Sequence, residues 1–101
     1  GAARPNLKVN LDTGHAYCAD GLAEEFDVLK DLIVHFHMND GDTPGDSQHL
    51  PLGEGEADFA YLAPFLQNFE GIAVLEIYAP HRPIEAILAS RDFLLQVTAQ
   101  V

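Results

Sequence analysis

Leu32-Ile33-Val34-His35-Phe36-His37-Met38 is the stretch that decides the fold. It is almost continuously apolar and partly β-branched, the composition of a strand buried on both faces of a parallel sheet. Parallel strands are joined by crossovers, so helices should flank it. Upstream, Leu22 to Asp31 sets Leu22, Phe26 and Leu29 at helical spacing, with Glu24, Glu25, Asp27 and Lys30 opposite. That pattern predicts a short amphipathic helix with a solvated acidic side. Before it, Leu7 to Asp12 alternates apolar and polar residues as a first strand does, and Thr13-Gly14 is a turn signal. Downstream, Asn39 to Gly55 carries Gly41, Gly45, Gly53, Gly55, Pro44 and Pro51. It is too long for an ordinary connection and reads as a functional loop.

Asp58 can cap a helix built on Phe59, Leu62, Phe65, Leu66 and Phe69, and Gly71 ends it. Pro64 calls for a kink or a later start. Ile72 to Tyr78 is a third buried-looking strand, and Pro83 opens a final helix with an apolar stripe of Ile84, Ile87, Leu88, Leu94 and Leu95. Strands alternating with helices give the α/β class, with about three parallel strands in one domain spanning residues 1–101.

The chain has 101 residues, 48% hydrophobic and 21% charged, which excludes disorder as the default. A formal charge of −11 opposes binding to a phosphate backbone or an anionic membrane, so neither nucleic acid nor membrane is an expected partner. The lone Cys18 rules out an intramolecular disulfide and reads as a small packed residue. No apolar run reaches the roughly 20 residues that span a bilayer. The opening residues, with Arg4 and Lys8 near a short apolar stretch, lack a secretion pattern. A cytoplasmic location is the resulting expectation.

The ionisable residues gather where the strands end. Asp12 and His15 close the first, His35 and His37 the second, and Glu76 the third. In parallel α/β architectures ligands bind at the carboxyl ends of the strands, so these groups should converge on one cleft. A set of Asp, His and Glu suits a divalent cation such as Mn, Co, Mg or Zn. Each residue also has a plainer reading. Asp12 before Thr13-Gly14 can make an Asx turn, and His35 and His37 can be hydrogen-bonded core residues. Glu76 within VLEIY needs a cation, a hydrogen-bond network or a proton to offset burial of its charge. Leu52-Gly53-Glu54-Gly55-Glu56 lacks the Lys-Ser or Lys-Thr of a phosphate-binding P-loop.

Taken together, LDTGHA (Leu11 to Ala16), VHFHMND (Val34 to Asp40), HLPLGEGEADF (His49 to Phe59) and VLEIY (Val74 to Tyr78) resemble the xylose isomerase-like TIM barrel superfamily. That superfamily holds sugar and sugar-phosphate isomerases and epimerases, and endonuclease IV. The resemblance runs from about Leu7 to Leu95 and implies the last three βα units of an eight-stranded barrel. It implies that Asp12, His37 and Glu76 are metal ligands, and that Glu76 also acts as an acid/base group moving a proton beside a carbonyl. His15 would contact substrate or a further metal. His49 matches a histidine that binds an additional zinc in the endonuclease branch, but Ser47 stands where that branch has an aspartate.

A (β/α)₈ barrel typically needs about 250 residues. Three strands cannot close one, and the family's remaining metal-binding glutamate lies on an earlier strand. The expected protein is therefore a partial barrel, completed by homo-oligomerisation or by a partner chain that supplies strands. Its expected activity is metal-dependent isomerisation or epimerisation of a sugar, sugar phosphate or small hydroxy-carbonyl substrate. The alternative is a truncated, non-catalytic remnant that oligomerises and still binds metal or a small ligand.

Overall fold

The apolar run at the centre of the sequence forms the central strand of a three-stranded parallel sheet of order β1-β2-β3. In this computed structural model residues 7–101 are described, and Arg4 lies outside them. The strands are β1 (Val9–Asp12), β2 (Ile33–Met38) and β3 (Ile72–Leu75), and the helices are α1 (Thr13–Cys18), α2 (Leu22–Leu29), α3 (Phe59–Gln67) and α4 (Pro83–Ala99). A single 3₁₀ turn, Lys30–Leu32, links α2 to β2. No described helix is long and apolar enough to cross a membrane.

Three details differ from expectation. The turn expected after Asp12 is the six-residue helix α1, capped by the Asp12 side chain, which accepts from the His15 amide. An Asx turn and an N-cap use the same short-range oxygen-to-amide bond, so the local chemistry was legible but not the extra turn of helix. Pro64 sits inside α3, which starts at Phe59 as the Asp58 cap predicts; the proline is exposed, so its ring faces water. Strand β3 stops at Leu75, leaving Glu76 just beyond it, although the Glu76 amide still donates to the Met38 carbonyl at 3.0 Å.

Register then sorts the side chains. Asn10 aligns with His35 and Asp12 with His37; on the far side His35 aligns with Ile72 and His37 with Val74. Alternation sends Leu11, Phe36 and Met38 to the opposite face, where they join Leu22, Phe26, Phe59 and Leu62 in the core. Edge-to-face aromatic pairs tie this layer together, Phe26 with Phe65 at 5.0 Å and Phe36 with Phe69 at 5.1 Å between ring centroids. No described helix covers the face bearing Asn10, Asp12, His35 and His37, which is why Ile72 is 63% exposed and the strands are not buried on both sides.

The long loop is held by a residue that pattern reading did not single out. Asp40, 1% exposed, accepts backbone hydrogen bonds from Gly41 (2.8 Å), Gly53 (3.0 Å), Gly55 (3.0 Å) and Ala57 (2.9 Å). Four amide donors satisfy a carboxylate that would otherwise be costly to bury. A Cβ on Gly55 would lie 2.6 Å from Asp40 Oδ1, so only glycine allows the approach. The amides of Gly53 and Gly55, which a phosphate loop would aim at its ligand, are thereby consumed by the chain's own carboxylate.

Candidate metal centre

Asp12, His37 and Glu76 come from the ends of three neighbouring strands, and register brings them to one side of the sheet. One ligand atom from each lies within 4.8 Å of the others, and all three are half-buried. His37 Nδ1 stands 3.1 Å from Glu76 Oε1. The spread of the donor atoms and the mix of two carboxylates with an imidazole fit a divalent cation.

Neighbouring groups fix each member. Asp12 Oδ1 accepts from the His15 amide at 2.9 Å and from Asn39 Nδ2 at 3.2 Å, which turns the carboxylate and leaves Oδ2 without a described protein partner. Asn39 is itself pinned by Thr13, whose hydroxyl donates to the Asn39 carbonyl at 2.7 Å and accepts from its amide at 3.0 Å. His37 Nε2 lies 3.3 Å from Asn10 Nδ2, and the His35 ring packs edge-on against His37 at 5.1 Å. Outer-shell partners of this kind set ligand orientation in metal sites.

The other candidate residues lie around this centre. His15 is exposed on the first turn of α1 and meets Asp12 through its backbone amide. His49 has φ 53°, a left-handed conformation that is uncommon outside glycine. Its Nδ1 donates to the Glu76 carbonyl at 3.1 Å and its carbonyl accepts from the Tyr78 amide at 2.8 Å, so it braces the main chain that carries Glu76. An open cleft of about 590 Å³ lies here, lined by Gln48, His49, Glu76, Ile77 and Tyr78. Cys18 is buried and donates to the Asp46 carbonyl at 2.6 Å. Burial pushes its thiol above the ordinary cysteine value, as expected of a packed residue.

Sequence reasoning missed Asn10, Asn39 and Thr13. Their signal is the strand period: Asn10 is two residues before Asp12 and therefore on its face, while Thr13 and Asn39 each directly follow an end residue.

With this geometry in view, the profile of the xylose isomerase-like TIM barrel family matches residues 1–97. The chain belongs to that family. Among solved structures, it is similar to a D-tagatose 3-epimerase-like protein at 26% identity and a TM-score of 0.71, covering 94% of this chain and 37% of that one. No curated protein matches the chain at a significant level. The chain thus spans little more than a third of this epimerase-like relative, and its open three-stranded sheet corresponds to a portion of a barrel of the xylose isomerase-like kind.

Proposed function

We propose that the chain carries the metal-holding part of a sugar isomerase or epimerase that moves a proton on the carbon beside a carbonyl. The observation that carries this reading is the convergence of Asp12, His37 and Glu76 within 4.8 Å, in a family member similar to an epimerase-like protein. These three residues would hold a divalent cation, Mn, Co, Mg or Zn, and when bound it would supply Lewis acidity at a carbonyl oxygen. Glu76 has one oxygen against His37, and the second is the base that takes the substrate proton. His49 steadies the Glu76 backbone, and its half-buried ring also offers a nitrogen to substrate or to a further cation. His15, exposed beside Asp12, binds a substrate hydroxyl. The adjoining cleft lies within the size range of small-molecule sites.

The same reading includes self-association or a partner chain. Ile72 at 63% and Val74 at 38% exposure are apolar residues on the uncovered face, and β3 is an edge strand. That face also supports a second reading, a non-catalytic oligomer that binds metal without turnover. Proton exchange at the carbon beside the carbonyl of a ketose in deuterated water, followed by NMR with each cation, decides between them. Cation-dependent exchange that Glu76→Gln abolishes supports the enzyme; bound cation without exchange supports the oligomer.

A further inference from the structure

Asn10 meets His37 from outside the Asp12, His37 and Glu76 triad, and the chemistry of that contact goes further than holding the ring in place. It sits on β1 two residues before Asp12 and shares its face, and its Nδ2 is 3.3 Å from His37 Nε2. The other ring nitrogen, Nδ1, is 3.1 Å from Glu76 Oε1. A carboxylate oxygen can only accept, so a ring proton belongs on Nδ1; the Asn10 amide nitrogen can only donate, so Nε2 accepts its hydrogen bond with a lone pair. One neutral tautomer satisfies both contacts.

A cation changes this requirement. A ring nitrogen that ligates gives up its proton, so if the nitrogen facing Glu76 joins the site, the single remaining ring proton moves to Nε2. A group fixed as a donor would then face an N–H. An amide does not have this problem, because a half-turn about its last side-chain bond exchanges NH₂ for oxygen. We propose that Asn10 is a positioning residue for His37 that serves both states, donating to Nε2 when the site is empty and accepting from Nε2–H when Nδ1 ligates. This rests on the metal reading of Asp12, His37 and Glu76. Asn10 is exposed and is not part of the helix-covered core, so the contact serves the histidine rather than the packing.

Zinc binding to the full chain, measured by calorimetry alongside long-range ¹H–¹⁵N spectra of the histidine rings, tests the proposal. The His37 signals are assigned by their loss in His37→Gln. The wild type should show Nδ1–H without zinc and Nε2–H with it. Asn10→Leu, which neither donates nor accepts, should bind zinc about 10-fold to 100-fold more weakly, as loss of an outer-shell partner does. Asn10→Asp keeps the acceptor that the loaded site needs and should bind at least as tightly as the wild type.

Zinc affinity unchanged in Asn10→Leu would overturn the proposal, as would an Nε2–H ring in the empty protein. If Asn10→Leu fails to fold, Asn10→Asp decides alone, and a tenfold weaker affinity there also overturns it. A wild type that binds no zinc removes the metal reading and this proposal together, whereas equal affinity in wild type and Asn10→Leu removes only the role of Asn10.

Discussion

The two faces of the sheet are made from the same strands and have opposite characters. On one, Phe36 and Met38 are each 0% exposed beneath the helices; on the other, Ile72 is 63% exposed and the half-buried Asp12, His37 and Glu76 converge. One face was completed by the crossovers that follow each strand, and it holds the fold. The other has no described helix over it, and it holds the candidate cation site. The difference teaches that core packing and the candidate site separate residue by residue along one strand: in β2, Phe36 belongs to the core and His37 to the candidate cation site.

Substitutions can break or sharpen this contrast. The largest effect should come from the residue that holds the long loop together. Asp40→Ala leaves four backbone amides without their acceptor and should lower stability by about 4 kcal/mol or more, close to the whole stability of a small domain. Urea unfolding checks it, and a loss below about 1 kcal/mol would mean that the loop stands without its carboxylate. On the helix-covered face, Phe36→Ala should cost about 3–5 kcal/mol, read from the same unfolding midpoint. Its neighbour in sequence should behave differently: His37→Ala should change stability by no more than about 1 kcal/mol, because the half-buried His37–Glu76 contact is largely screened by solvent, while removing cation binding. A fall as large as that of Phe36→Ala would erase the division between the faces. Smallest of all, Ile72→Thr should alter the stability of the folded chain by less than about 0.5 kcal/mol. It should nevertheless weaken self-association in analytical ultracentrifugation, and a core-sized loss of stability would show that the face is already covered.

Much of the fold was legible because it rests on local periodicity. The run from Ile33 to Met38, the cap at Asp58 with its apolar stripe, and Pro83 at the start of α4 each announce an element through neighbouring residues. The exposure of β3 was not legible, since an apolar strand looks the same whether or not something covers it. Asp40 was hidden for a different reason: three of its four donors lie 13 to 17 residues away, and no local pattern reports a bond closed by loop folding. The candidate ligands were readable as polar residues at strand ends, and parallel register accounts for their meeting. Their supports, Asn10 and Asn39, were not, because an asparagine near a strand end is also an ordinary turn residue.

The central claim is that Asp12, His37 and Glu76 form one cation site on the uncovered face. It is tested most directly by elemental mass spectrometry of the purified chain after equilibration with manganese and dialysis, reported per chain with the solution mass. The account predicts about one cation per chain in the wild type, in the stoichiometry of structured metal sites, and only trace metal in His37→Ala with the fold intact. Wild-type protein without metal above trace, or His37→Ala retaining it in full, would contradict the account.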